Sequence, residues 1–140
     1  MIRTSPWTRA TLSTIAAVIL ESVAQAADGP QNLQESVVRE IFGHFDQSEV
    51  AGKEVVTGTV TLQPGAQVPF HTHPGDEAGY VVRGSVTWKV RGQPDKRLHV
   101  GDSFFNPRGS VHSLIAGQSG AKVFSAWIVD KNKPLSSPAP

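Results

Sequence analysis

Cysteine is absent from the chain of 140 residues. This absence excludes disulfide bonds and thiolate metal ligands, so a metal site in this protein must be built from histidine and carboxylate groups. Charge of one sign is not in excess either, since 13 lysines and arginines are balanced by 12 aspartates and glutamates. Nucleic-acid binding favours a concentrated basic face. We therefore expect no nucleic-acid partner.

Long apolar runs are missing as well. In the first 26 residues, Arg3 and Arg9 accompany the short apolar stretch 12–20, and residues 24–26 have the Ala-Gln-Ala pattern of a cleavage site. A bilayer span needs about 20 apolar residues, so this stretch is a removable signal rather than an anchor. We expect a signal peptide over 1–26, a periplasmic or secreted mature protein, and no membrane association after cleavage. An amphipathic amino-terminal helix packed on the domain is the alternative interpretation.

The rest of the chain has a suitable length for one domain with a single core. Segments rich in β-branched residues are bounded by glycine and proline turns and indicate strands, without a repeat or a long helical pattern. The predicted strands are 37–42, 54–62, 81–84 (ending at a glycine turn), 85–90, 111–115 and 123–129. We therefore predict a flexible lead over 27–36, an all-β domain over 37–130, and a proline-rich tail over 131–140 that wraps or frays.

Two histidines lie two residues apart in the segment Phe-His-Thr-His-Pro-Gly-Asp-Glu, which covers residues 70–77. Side chains alternate between the two faces of a strand, so His71 and His73 are expected on the same face. Residues 74–76 are a Pro-Gly-Asp turn signal that reverses the chain directly afterwards. Glu77 can then begin the next strand beside the histidine pair and place a carboxylate at a third vertex of a site.

A third histidine lies in a second segment, in which a short aromatic strand over 103–106 is followed by a Pro-Arg-Gly turn over 107–109. His112 is then the one imidazole of the otherwise apolar stretch 111–115. Burying a histidine is costly without a partner, and a metal ion is one such partner. Three imidazoles and a carboxylate form a donor set that suits a borderline divalent cation.

The two remaining histidines, His44 and His99, fall outside both segments. We interpret His44 as a turn or edge residue and His99 as a surface residue, because exposed histidines are common. Asp76 could compete with Glu77 for a metal ion. Its place within a turn favours a bond to the backbone instead.

Both segments resemble the two sequence motifs of the cupin superfamily. The first motif is a glycine, five residues, His-x-His, three or four residues, a glutamate, six residues and a glycine, and it is matched from Gly65 to Gly84 with three residues before Glu77. The second is a glycine, five residues, Pro-x-Gly, two residues, a histidine, three residues and an asparagine, and it is matched from Gly101 to His112. Ala116 stands at the asparagine position. That position is not a ligand, so the departure concerns only a local turn or a neighbouring contact.

The resemblance implies a small antiparallel double-sheet jelly-roll barrel, also called a double-stranded β-helix, as the fold of the single domain over 37–130. It implies one bound divalent transition metal ion, which could be iron, manganese, nickel, copper or zinc. The implied metal ligands are His71, His73, Glu77 and His112. It also implies a homodimer, since small cupins often pair through edge strands.

By the same resemblance, the first functional hypothesis is an exported enzyme of dioxygenase or oxidoreductase type that acts on a small molecule. Glu77 is then the candidate catalytic residue, as a ligand that can also accept a proton. Two alternatives stay open. One is a non-catalytic cupin that binds or senses a metal or a small ligand, and the other is a metal-dependent isomerase or lyase. The identity of the metal would separate redox chemistry from Lewis-acid chemistry, and the ligands alone do not fix it.

Overall fold

Eight β-strands and no helix make up residues 36–139, the part of the chain that the computed structural model describes. The strands are β1 (Val37–Asp46), β2 (Lys53–Leu62), β3 (Gln67–Thr72), β4 (Gly75–Val90), β5 (Lys96–His99), β6 (Ser103–Asn106), β7 (His112–Asp130) and β8 (Ser137–Pro138). This part of the chain has no helix long and apolar enough to cross a bilayer. The predicted signal peptide, and the predicted lead as far as residue 35, lie outside the described residues.

The two longest strands, β4 and β7, run antiparallel along their full lengths and belong to both sheets of the fold. Their pairing extends from Gly75 opposite Val129 to Val90 opposite His112. At one end they are flanked by β2 and β6, and at the other end by β3 and β5. The strand orders are therefore β1-β2-β7-β4-β6 and β8-β3-β7-β4-β5. This double-sheet arrangement confirms the predicted all-β jelly roll.

The core lies between the two sheets, where inward-facing residues of successive strands meet. On β2, Val56, Val60 and Leu62 are buried, as expected for a strand with one face turned inward. On β7, burial alternates from Val123 to Val129. Trp127 heads the largest fully buried side chains, with 1% of its surface exposed. A buried aromatic side chain of this size makes many packing contacts, so Trp127 helps to fix the positions of the residues that lie against it.

Two predicted strand boundaries are wrong. The chain does not turn at Gly84, because β4 continues through it, and the pairing with β7 only shifts in register on either side of this residue. Gly84 has a φ of 71°, and an added Cβ would lie 1.9 Å from the carbonyl oxygen of Gly120. The glycine therefore marks a β-bulge rather than a turn. The strands predicted at 111–115 and 123–129 are likewise two parts of β7, joined through a stretch that carries no strand pattern.

The strand β1 forms an edge, since it pairs with β2 and with no other strand of residues 36–139. Its exposed side chains are both apolar and charged: Phe42 and Phe45 are 60% and 57% exposed, and the strand also exposes Glu40 and Asp46. Val38 and Ile41 are exposed beside them. An exposed apolar edge strand offers both unpaired backbone groups and hydrophobic area to another chain.

The tail wraps back over the sheet that contains β3. Ser137 pairs with Thr72 in the short β3–β8 ladder, and the backbone N–H of Ala139 donates to the carbonyl oxygen of Phe70. Leu135 packs against the core. The tail therefore covers the strand that carries the first histidine motif.

Candidate metal centre

Strand pairing brings the two histidine segments together. His71 lies on β3 directly opposite His112 on β7, and side chains opposite each other in an antiparallel pair share a face. His73 follows the end of β3 by one residue and lies beside both. The ring centroid of His71 is 4.3 Å from that of His112 and 4.8 Å from that of His73. The candidate ligand nitrogens of the three rings all lie within 4.8 Å of one another.

Each of the three rings is fixed by a hydrogen bond from its Nδ1 atom to a backbone carbonyl oxygen. The Nδ1–O distances are 2.8 Å from His71 to Pro69, 2.6 Å from His73 to Leu135 and 2.9 Å from His112 to Ser110. A carbonyl oxygen can only accept, so Nδ1 must carry a proton in each ring. In the neutral ring, Nε2 then presents its lone pair, which is the arrangement that metal-ligating histidines show.

The Nε2 atoms of His73 and His112 are buried and have no hydrogen-bond partner. They face Glu77 instead, whose Oε2 atom is 3.4 Å from Nε2 of His73 and 3.1 Å from Nε2 of His112. The lone pairs of the two Nε2 atoms are repelled by the negatively charged Oε2 atom unless a cation or a proton lies between them. This donor set of imidazole nitrogens and a carboxylate oxygen fits a divalent transition metal ion.

The protonation of the site also suits a cation. Burial, together with the nearby His112 and His73 rings, lowers the pKa of His71 to about 4, against the opposing effects of the Pro69 carbonyl and the Glu77 carboxylate. The His71 ring is therefore neutral at neutral pH. Burial acts to raise the pKa of Glu77, but the close approach of the His112 and His73 rings and the hydrogen bond from Asn106 outweigh burial and hold this pKa below its ordinary value. Glu77 is thus an ionised carboxylate.

Glu77 is held in place by a second hydrogen-bonded side chain. Asn106 on β6 lies opposite Glu77 in the β4–β6 ladder, and its Nδ2 atom donates to Glu77 Oε2 over 2.8 Å. The indole Nε1 of Trp88 in turn donates to Asn106 Oδ1 over 3.0 Å. Sequence reasoning missed Asn106. A signal was present, because alternation along β6 places Asn106 on the same buried face as Phe104.

The two motifs are tied to each other near the site. Asp76 lies in β4 rather than in a turn, and it accepts a hydrogen bond over 2.8 Å from the distant backbone N–H of Arg108 instead of capping its own turn. The Arg108 side chain donates to the carbonyl oxygen of Pro74 and forms an ion pair with Asp130. The backbone N–H of Gly109 donates to the carbonyl oxygen of His73. These bonds fix the two histidine segments relative to each other.

The other predicted residues lie where the sequence placed them. His44 is an exposed residue of β1 that bonds to Glu54, and His99 is exposed at the end of β5. Ala116 is buried, and its backbone N–H donates to the carbonyl oxygen of Ala66. The four predicted metal ligands thus converge, and the remaining histidines stay outside the cluster.

Residues 58–128 match the Cupin domain family. This match covers half of the chain. The chain belongs to the cupins. The predicted superfamily membership is therefore confirmed, and the match includes both histidine segments, from His71 to His112.

Similar proteins include enzymes. The cupin is 32% identical over 63 residues to dimethylsulfoniopropionate lyase DddQ of Ruegeria pomeroyi, a match that covers 45% of this chain and 31% of that protein. The cupin therefore spans only about a third of this curated relative. The structure of KdgF from a Halomonas species superposes with a TM-score of 0.57 at 25% identity, over 73% of this chain and 86% of that one.

Two further solved structures extend the likeness. The structure of DddQ from Ruegeria pomeroyi gives a TM-score of 0.63 at 18% identity and covers 82% of this chain and 57% of that one, which shows a shared fold alone. A cupin-like protein of Thermotoga maritima gives a TM-score of 0.58 at 25% identity, over 74% of this chain and 75% of that one.

Proposed function

We propose that this cupin is a mononuclear metal-dependent enzyme that acts on a small molecule, with one divalent transition metal ion held by His71, His73, His112 and Glu77. One observation carries the proposal. The buried Nε2 atoms of His73 and His112 lack hydrogen-bond partners and are directed at an ionised carboxylate, while their Nδ1 atoms are anchored to the backbone. Unpaired buried polar atoms are costly, and a bound cation would satisfy all of them.

The ion would supply Lewis-acid chemistry, by polarising a substrate oxygen or lowering the pKa of a bound water molecule. The residues of this chain set the conditions for that chemistry. Glu77 contributes a full negative charge, and Asn106 fixes its orientation. The buried Trp127 ring, with its centroid 6.0 Å from that of His73, closes the inner side of the site and excludes water there.

The low pKa of Glu77 bears on its proposed role. A carboxylate that stays ionised well below neutral pH is a good ligand and a weak base. Its Oε2 atom also already accepts from Asn106. Metal ligation is therefore the role that this geometry supports for Glu77, and proton transfer by Glu77 would require it first to leave the ion.

We infer that a lyase reaction is better supported than dioxygenase chemistry. The support is the curated relative that is named a dimethylsulfoniopropionate lyase. Dioxygenase chemistry remains the second candidate, because three imidazoles and one carboxylate leave coordination positions free for substrate and oxygen. The protein in its metal-loaded state, incubated with dimethylsulfoniopropionate, separates the two. A lyase consumes the substrate without oxygen, whereas an oxygenase consumes it only with measurable oxygen uptake.

Elemental analysis tests the metal centre itself. We expect about one transition metal ion per chain in the purified protein and none in the double variant His71→Ala, His73→Ala, because both lost nitrogens are proposed ligands. His99→Ala is the matched control, since it removes an exposed imidazole outside the cluster. Full metal content in the double variant would refute the proposed site.

We also propose that the cupin is exported. The support is the leader pattern over residues 1–26, with its positive start, short apolar stretch and Ala-Gln-Ala sequence. Expression of the full chain should yield a periplasmic or secreted species that begins at Ala27. Finding only full-length cytoplasmic protein would contradict export.

A homodimer formed through β1 completes the proposal. Its support is the exposed apolar side chains of this edge strand, which include Phe42 and Phe45. An exposed edge strand offers free backbone groups and apolar side chains to a second chain, and the charged side chains and the bulge of β1 would restrict the contact to its apolar residues. The register shift between Ile41 and Gly43 leaves the pairing regular on both sides of it.

A further inference from the structure

A cavity of about 450 Å³ opens between β1, β3 and the tail. Its wall is mostly apolar. Two of its polar residues are Arg39, which is a permanent cation, and His71, which belongs to the histidine cluster. The lining includes Val37, Val68, Phe70, Pro138, Arg39 and His71. A volume of this size is in the range of small-molecule sites, and an apolar wall with few polar groups is typical of them.

The cation is the guanidinium group of Arg39, which has no acidic partner. No carboxylate of residues 36–139 forms an ion pair with it, although six ion pairs of other lysines and arginines are formed within this part of the chain. Its one side-chain hydrogen bond there is a long one, 3.4 Å from Nη1 to Ser136 Oγ. Most of the five N–H donors of the group are therefore available to a ligand.

Arg39 lies over the ring of Trp127, and it shares the cavity wall with His71. Its Cζ atom lies 5.7 Å from the centroid of the Trp127 ring, which is the geometry of a cation–π contact. The His73 ring also lies beside Trp127, at 6.0 Å between centroids. Burial lowers the pKa of Arg39, and the Glu77 carboxylate acts to raise it. A guanidinium group remains charged at neutral pH in either case.

We propose that Arg39 binds the carboxylate of an amphipathic organic acid, whose apolar part lies along the cavity wall and whose other end reaches His71. A planar guanidinium matches a carboxylate through two parallel hydrogen bonds. Besides Arg39 and His71, the polar side chains of the wall are those of Gln67 and Ser136. This inference rests on the proposed function and names its substrate class. Carboxylate binding by Arg39 does not require the metal ion, whereas the reaction at the other end of the ligand does.

Calorimetric titration of the purified protein with benzoate and with benzamide tests the proposal. The two probes have nearly the same shape and differ in charge. We expect benzoate to bind at least about tenfold more tightly than benzamide. Only benzoate can form a charged hydrogen-bonded pair with Arg39, and such a pair in a partly enclosed site contributes about this much affinity. Arg39→Gln should reduce this preference to about one, whereas Arg39→Lys, which keeps the charge but loses the planar fork, should retain part of it.

Arg83→Gln is the matched control, because it removes the same charge from an exposed position on β4. It should leave the preference for benzoate unchanged. The proposal is overturned if the wild type shows no preference, or if Arg39→Gln keeps it, which would mean that another group, such as the metal ion, selects the carboxylate. Elemental analysis of the same samples keeps the two proposals separate. Absence of metal from the wild-type protein refutes the proposed function. A preference for benzoate that is lost only in the Arg39 variants supports the carboxylate site, whether or not metal is present.

Discussion

His71 on β3 and His112 on β7 lie directly opposite each other, with their ring centroids 4.3 Å apart. This pairing makes the centre depend on strand register. A slip of one residue between the two strands would turn one imidazole to the other face of the sheet. The centre is therefore only as well defined as the packing that fixes this register, and the bond between Asp76 and Arg108 reinforces it.

Asn106→Ala should weaken metal binding without removing any ligand. The variant deletes the buried amide that donates to Glu77, so the carboxylate loses its orientation. We expect Zn²⁺ affinity, measured by competition with a chelating dye, to fall about 10- to 100-fold. The free energy of unfolding should fall by roughly 1.5–3 kcal/mol, because the lost hydrogen bond is made to a charged group. The exposed Gln93→Ala is the control, and unchanged Zn²⁺ affinity in Asn106→Ala would exclude a positioning role for this residue.

Deletion of residues 134–140 should lower metal affinity through His73. The deletion removes the Leu135 carbonyl oxygen that accepts from His73 Nδ1, along with the pairing of β8 and β3. A ligating histidine that loses such a partner typically loses about tenfold or more in metal affinity. Leu135→Ala is a matched variant, since it loses packing but keeps the carbonyl oxygen. It should lower the melting temperature and leave Zn²⁺ affinity nearly unchanged. Equal loss of affinity in both variants would mean that packing, rather than this hydrogen bond, is responsible.

Gly84→Ala should destabilise the fold much more than Gly92→Ala. Both glycines have a positive φ, of 71° and 80°, so alanine at either position carries a conformational cost of about 1–2 kcal/mol. Only at Gly84 does the added Cβ meet backbone, 1.9 Å from the carbonyl oxygen of Gly120, whereas nothing lies within 4 Å at Gly92. Chemical denaturation should give a difference between the variants of about 2 kcal/mol or more, as expected for overpacking. Equal stabilities would mean that the bulge can shift to accommodate the methyl group.

Phe42→Glu should convert the proposed dimer to a monomer. The substitution places a charge among the exposed apolar side chains of β1, where Phe42 is 60% exposed in the single chain. Burying an unpaired charge in an interface is strongly unfavourable. Light scattering coupled to size-exclusion chromatography measures the mass directly. Phe105→Glu is the control, because Phe105 is 53% exposed on β6, at the other end of that sheet. A wild-type monomer, or dissociation by both variants alike, would refute an interface at β1.

Much of the candidate site could be predicted because its signals are local. The His-x-His spacing and the turn signal that follows it predicted that His71, His73 and Glu77 would lie together, although His73 follows the end of β3 and β4 already begins at Gly75. The supporting hydrogen bonds could not be predicted in this way. Two of the three acceptors for Nδ1 are carbonyls close in sequence, but the third belongs to Leu135, and a backbone carbonyl leaves no trace in residue type. Asn106 carried a signal only in the alternation along its own short strand.

The sequence by itself determined the strand-rich architecture, the lack of thiolate ligands and the set of imidazole and carboxylate donors, because these depend on residue type and on spacings of a few residues. Only the tertiary structure decided that β4 and β7 are continuous, that Asn106 orients Glu77 and that Arg39 lies over Trp127 beside the cluster. These features join residues far apart in the chain. They arise from the register and packing of two sheets, which no short stretch of sequence specifies alone.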